Sequence, residues 1–394
     1  MRKAIILLIV GSVICSLFAI LAACQKGPEA EETIKIAYVG GFTGYAAAKA
    51  KHLTHGVELA VKEINEAGGV LGRKLEVISY DTRSIPEEAV SAVRKGIYDD
   101  KVSGITGFDD ASQALAALPV AIKAGIPICN AMSIHKDLVR KPGELGFWGI
   151  TPQNDQYIKA QCAFAEDILG INSVVALGPE VAWLHDCFSH IREIWERPGS
   201  PVKVLDTIAY PMGTADLSPI VLKAVGYKPD MIWSFDWSVV GTIQVYKLLA
   251  DLGYEGENMQ CLGNLSQPVI EGAGKTCEGS WSIFCWDVAL NNPESIAFKE
   301  ALVNAFGPQV MNEVSDVTPF GYISVKSMCM AFEKVGGTTD LEAIDKALFE
   351  LDWVTPAGWK WHLDEKGWMD WRALYICTVK NGKLEVVAAI PKYR

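Results

Sequence analysis

Along residues 34–107 the apolar positions switch repeatedly between two periods. Ile34-Lys35-Ile36-Ala37-Tyr38-Val39 is a short, nearly continuous apolar run, which predicts a buried strand. Gly40, Gly41 and Gly44 follow and predict a sharp turn. Leu53, Val57, Ala60 and Ile64 then recur at spacings of three and four, one apolar face of a helix, which Gly68-Gly69 closes. Leu75 to Tyr80 is a second strand. Ser84, Pro86, Glu87 and Glu88 form a helix start, with a proline in the first turn and acids near the positive end. Ala89, Val93 and Ile97 carry that helix, and Val102 to Thr106 is a third strand. Strand, helix, strand, helix, strand predicts a parallel sheet with right-handed crossovers. In such sheets ligands bind beyond the carboxyl ends of the strands.

The pattern continues. Leu115, Leu118, Ala121 and Ile122 mark a helix, and Gly125 to Cys129 the start of a strand. A second series has strands at 173–177, 202–208, 230–235 and 259–262, alternating with helices at 188–195, 217–225 and 243–252. Three helical patterns follow, at 293–306, 321–335 and 341–351, and strands at 374–379 and 384–390 close the chain. The two series read as similar βα halves, with no short repeat or low-complexity tract.

Composition narrows the function. The 394 residues suffice for two ordinary domains, and half are hydrophobic. A formal charge of −11 argues against nucleic acid, whose phosphates need clustered Lys and Arg. The first residues read as an address: Arg2-Lys3, an uncharged apolar run from Ala4 to Ile20, then Leu21-Ala22-Ala23-Cys24. Residues 25–33 form a polar tether, and no second spanning run appears. Ten cysteines are present, without a Cys-x-x-Cys pair, so a zinc ribbon or thioredoxin motif is excluded. Buried free thiols are the default for those after Cys24, with Cys277–Cys285 a possible disulfide. His185, Cys187 and His190 cluster, but their spacing does not put them on one helix face, so no metal site is expected. No Gly-x-Ser-x-Gly elbow, P-loop or His-Glu-x-x-His motif occurs, and neither catalysis nor a cofactor is expected.

Several of these runs resemble a known family. Phe42-Thr43-Gly44, the stretch Gly56 to Leu75 with Glu-Ile-Asn-Glu-Ala-Gly-Gly-Val-Leu-Gly-Arg-Lys at its centre, and Tyr80-Asp81 are similar to the start of leucine/isoleucine/valine-binding solute receptors. Tyr210 to Pro219 with Lys228-Pro229-Asp230 is a second match, and Leu21 to Cys24 resembles a lipoprotein lipobox. The resemblance implies a type I periplasmic binding protein: two doubly wound parallel-sheet lobes joined by three hinge crossovers. The crossovers would lie at Phe147–Pro152, Cys277–Trp281 and Gly358–Trp371. The implied organisation is a signal peptide over 1–24, a tether over 25–33, lobe 1 over 34–150 plus 280–357, and lobe 2 over 151–279 plus 358–394.

The resemblance also implies a ligand cleft. The family grips a carboxylate with first-lobe hydroxyls and backbone N–H groups, through charge-assisted hydrogen bonds. The matching loops here are 108–112 and 130–133: Asp110 and Ala111 stand where the family has paired serines, with Ser112 just after, and Met132-Ser133 stands where it has Ala-Thr. Ser112 and Ser133 are the gripping candidates, weighed against a helix cap and a turn residue. Trp183 stands where the family covers its ligand with an aromatic. Asn264 replaces the acid that pairs an α-ammonium, which puts an amino-acid ligand in doubt. Asp236 is a substitute acid and Trp237 a cation–π partner. Trp286 and Phe284 are further candidates, each weighed against plain core packing. Lys49, in the loop after the first strand, is read as solvated, with direct contact to an anion as the alternative. The implied protein is an exported monomer, lipid-anchored at Cys24 in the periplasm or at the cell surface. It would bind an amino acid of branched-chain type or an aromatic or aliphatic carboxylate and deliver it to an ABC permease. A sensor of the same fold that feeds a signalling partner is the alternative.

Overall fold

The computed structural model describes residues 33–141, 143–371 and 373–391. The leader, Cys24 and most of the tether lie outside them. The first half folds as β1 (Ile34–Gly40), α1 (Ala47–Glu66), β2 (Leu75–Asp81), α2 (Pro86–Tyr98), β3 (Gly104–Gly107), α3 (Ala111–Ala124), β4 (Ile128–Asn130) and β5 (Phe147–Gly149). Its five strands are all parallel, in the order β2-β1-β3-β4-β5. Helices cover both faces. Ile36 and Tyr38 point into one core with Leu53 and Val57 of α1, while Ala37 and Val39 point into the other with Ala89 and Val93 of α2. This is the period of two that a strand imposes.

The second half runs α4 (Asn154–Asp167), β6 (Ser173–Pro179), α5 (Ala182–Trp195), β7 (Lys203–Tyr210), α6 (Ser218–Gly226), β8 (Met231–Ser234), α7 (Val239–Asp251), β9 (Glu257–Gln260), α8 (Gln267–Ala273) and β10 (Trp281–Phe284). Then come α9 (Pro293–Phe306), α10 (Thr318–Val335) and α11 (Leu341–Phe349), which return to the first sheet, and β11 (Ala373–Lys380) with β12 (Lys383–Pro391). The second sheet is ordered β12-β11-β10-β9-β8-β6-β7, parallel except for the closing pair β11 and β12. The chain therefore passes between the sheets three times, as expected.

Two boundaries differ from the sequence reading. Trp281–Phe284 was assigned to the first lobe, yet it pairs with β9 and β11 in the second sheet. Its alternate residues reach both faces of that sheet, so the crossing begins only after Phe284. The second lobe also resumes later than the expected residue 358, toward the end of the expected passage 358–371. Trp361 Nε1 donates to Leu348 O at 2.8 Å and Trp368 Nε1 to Leu138 O at 3.0 Å, holding this stretch against the first lobe. Helix α4 has no counterpart in that reading. Its buried residues include Asn154 and Gln161, polar positions that interrupt the apolar stripe.

Helices α1 and α10 meet at glycines. A Cβ on Gly56 would lie 1.9 Å from Thr318 O, and one on Gly321 would lie 2.2 Å from Leu53 O. Backbones approach this closely only where neither helix carries a side chain. All eight cysteines from Cys129 onward are free and buried, and Cys277 and Cys285 are not joined. Among the described residues no helix is long and apolar enough to cross a membrane.

Candidate functional site

Four first-lobe segments converge at the carboxyl edge of the parallel strands. At the end of β3, Gly107 and Phe108 both take positive φ, 114° and 63°. For phenylalanine that is a rare, strained conformation. It turns the chain so that Asp109, Asp110 and Ala111 face the gap between lobes. The β4 loop brings Met132, Ser133 and Ile134. Ser133 Oγ donates to Phe108 O at 2.5 Å and Ser133 N to Asn130 Oδ1 at 3.0 Å, which ties the two loops together. The start of α1 supplies Ala46 and Lys49, and the start of α10 supplies Asp316, Val317 and Phe320.

The second lobe closes the other side with Trp183, Trp237 and Leu262, and Thr151 sits on the first crossing. Trp183 lies in the first turn of α5. Its Nε1 donates to Asn154 Oδ1 at 2.9 Å, and its ring meets Trp237 edge to face at 5.5 Å. Two linked rings form a rigid wall, a geometry aromatic pairs favour. Lys49 Nζ reaches across the gap to 5.9 Å from the Trp237 ring centre, within cation–π range. Tyr45 sits 6.4 Å from the same ring. The gap between these walls holds about 70 Å³ of free volume and opens to solvent.

Charge is unevenly placed. Asp109 Oδ2 accepts from Gly41 N at 2.7 Å and Oδ1 from Gln113 Nε2 at 3.0 Å. Burial pushes its carboxyl up to about 6 against these bonds, and the neighbouring Asp110 charge adds to the rise. Burial likewise raises Asp316 to about 6, with Lys49 opposing and Asp287 assisting. Burial, and then Asp110, holds the Tyr45 phenol well above its ordinary range.

The structure brings five of the sequence candidates to this cleft: Ala111, Met132, Ser133, Trp183 and Trp237. Ser112 does not line it. Its N–H donates to Asp110 Oδ1 at 2.8 Å and its hydroxyl turns to the same oxygen, so it is used at the helix start. Asp236 is also committed elsewhere. Its Oδ2 accepts from Tyr210 OH at 2.8 Å and its Oδ1 from Ser238 Oγ at 2.7 Å. Asn264 Nδ2 donates to Asp236 O, so these two residues brace the loop that presents Trp237. Trp286 is fully buried, edge-on to Phe298 at 5.6 Å.

His185, Cys187 and His190 do not converge. Cys187 is buried against Tyr157 OH at 3.0 Å, while His185 is exposed. Among the described residues no cluster of His, Cys, Asp or Glu is arranged to hold a metal. Sequence reasoning missed Asp316, Thr151 and Leu262, and placed Lys49 in solvent. The loop of Asp109 and Asp110 is matched to the ligand site in the sequence, but neither acid is given a role there, although acids at the end of a parallel strand stand where ligands bind.

A model described as periplasmic binding protein matches residues 33–383. The chain belongs to the periplasmic binding protein family. Within that family, Leu/Ile/Val-binding protein homolog 7 of Brucella abortus (strain 2308) is 24% identical over 403 aligned residues, covering 95% of this chain and 97% of its own. Among solved structures, a Streptococcus pneumoniae branched-chain amino acid transporter substrate-binding protein in complex with isoleucine matches at a TM-score of 0.77 and 21% identity. It covers 91% of this chain and 99% of its own. An R. palustris ABC-transporter solute-binding protein in complex with benzoate matches at a TM-score of 0.82 and 18% identity, covering 92% and 98%. These structural likenesses are of fold, and the fold is the type I periplasmic binding protein.

Proposed function

We propose that this chain is the extracytoplasmic substrate-binding lipoprotein of an ABC importer. It takes a small ligand into the cleft between its lobes and presents it to a membrane permease. The observation that carries this reading is the cleft itself. Its walls come from both sheets, at the strand ends where such folds bind ligands, with two tryptophans facing a polar first-lobe wall. Three crossings between the lobes are the arrangement on which hinge closure operates. The relatives are named for binding branched-chain amino acids or were solved with isoleucine or benzoate, and both ligand classes join a compact apolar body to a charged group. The cleft offers that combination in Trp183, Trp237, Leu262 and Phe320 on one hand and the acids with Lys49 on the other. No catalytic step is assigned to it. Lipid on Cys24 would keep the protein at a membrane while the lobes stay in water.

A thermal-shift panel of amino acids and aromatic acids tests the reading. A ligand at about 100 times its Kd stabilises the folded state by roughly 2.7 kcal/mol, which a melting curve resolves. Mass spectrometry of whatever co-purifies with the native protein gives an independent answer. A flat response across a broad panel, with nothing co-purifying, would sink the proposal.

A further inference from the structure

The cleft carries three carboxyl groups on one wall against a single lysine. Asp109 and Asp110 stand in the turn after β3, and Asp316 stands ahead of α10. Asp110 and Asp316 are buried. Among the described residues none of the three forms an ion pair with a cationic side chain. The groups facing them are mostly neutral or acidic. Asp109 meets the Gly41 N–H and Gln113, with Asp110 beside it. Asp316 meets Ser315 and the Val317 N–H, with Lys49 the nearest positive charge and Asp287 a further negative one. Asp316 also lies at the seam: a Cβ on Gly263 of the opposite lobe would sit 2.1 Å from its Oδ2.

These carboxylates accept hydrogen bonds from neutral donors but have no opposite charge in contact, which is costly in a buried site, and a cation brought by the ligand would relieve that cost. An anion would add a further negative charge to the same wall. Opposite stand Trp183 and Trp237, whose ring faces attract cations and shed water from an apolar body. We propose that the group this cleft selects is a protonated amine or guanidinium on an apolar body, seated between the Asp109–Asp110 turn and Asp316. A carboxylate on the same ligand is secondary and is met by Lys49. This inference rests on the cleft reading above and adds a polarity to it. The resemblance assigned the first lobe to a carboxylate, and here that wall is built for the opposite charge.

Matched ligands separate the two levels. Isothermal titration at pH 8, on protein freed of co-purified ligand by unfolding and refolding, compares leucine with 3-methylbutylamine and 4-methylpentanoate. A second trio is phenylalanine, phenethylamine and benzoate. At least one amine-bearing member is expected to bind, and the acid lacking an amine to bind at least tenfold more weakly. In Asp316→Asn and Asp109→Asn, checked by melting curve for folding, amine affinity falls tenfold or more while affinity for the simple acid does not fall. Benzoate or 4-methylpentanoate binding as tightly as its amine-bearing partners, or Asn variants that bind the amine unchanged, overturns the polarity and leaves the cleft reading standing. Silence from all six ligands overturns both.

Discussion

Single residues set the character of the cleft. Trp183 is anchored by Asn154 and stacked edge-on against Trp237, so the wall is rigid before a ligand arrives. Trp183→Ala is expected to weaken ligand binding by about 1–3 kcal/mol, the range for losing a large apolar contact. Unchanged affinity in titration calorimetry would remove that ring from the site. Asp316 leads to a second prediction. Its carboxyl sits near 6 in the folded protein, above the ordinary value of an unfolded chain, so the native state holds a proton that the unfolded state releases. The stability this proton linkage provides is complete at acid pH and is lost as pH rises through about 6. The facing charges are Lys49 and Asp287, while burial raises the thiols of Cys261 and Cys285 and keeps them neutral. Asp316→Asn should therefore raise the melting temperature above pH 7, by the equivalent of about 1–3 kcal/mol, and leave it unchanged below pH 4. A pH series of melting curves on both proteins checks the sign.

Elements succeed or fail on how closely they can approach. The α1 stripe of Leu53, Val57 and Ala60 is plain in the sequence, but Gly56 on the same face is what admits α10. A side chain at Gly321 would meet the Leu53 carbonyl, so Gly321→Val should destabilise the first lobe by about 1–3 kcal/mol or more through overpacking. The denaturation midpoint measures this, and an unshifted midpoint would show that the two helices can separate at little cost. Helix α5 shows a different dependence. Its apolar stripe places 188–195 within a helix, and the helix begins at Ala182, in the part that carries Trp183 to the cleft. Ends of elements are hard to read because side-chain periodicity weakens where a helix meets a loop.

At the scale of the molecule, the lobes meet through a few contacts across the gap. Tyr45 and Lys49 approach Trp237, and Gly263 lies under Asp316. Gly263 takes a φ of +75° and leaves no room for a Cβ at the seam. Gly263→Val is expected to wedge the lobes apart and lower ligand affinity at least tenfold, a loss of about 1.4 kcal/mol. Small-angle scattering should show a larger radius for this variant with ligand than for the parent with ligand. Equal radii would mean that the loop yields and the seam closes anyway. Outside the described residues, Cys24→Ser should move the exported protein from the membrane fraction to the soluble one, as fractionation would show.

Period and punctuation alone determined the alternating strands and helices, hence two parallel-sheet halves. A strand buried on both faces must be apolar throughout, a helix must show one stripe, and the connecting crossovers have one hand. The glycine turns and the Leu/Ile/Val-receptor wording likewise pointed to the family before any coordinates. Only the tertiary structure decided which side chains share the cleft. Asp236 and Asn264 looked available in the sequence and are used up bracing each other's loop. Asp316 stood out by no pattern in the sequence and stands in the wall. Ser112 and Asp110 lie two residues apart, and a hydrogen bond between them removes one hydroxyl from the ligand's reach. Local patterns report on neighbours along the chain, whereas a cleft between lobes is made of residues up to hundreds of positions apart, whose meeting is set by packing.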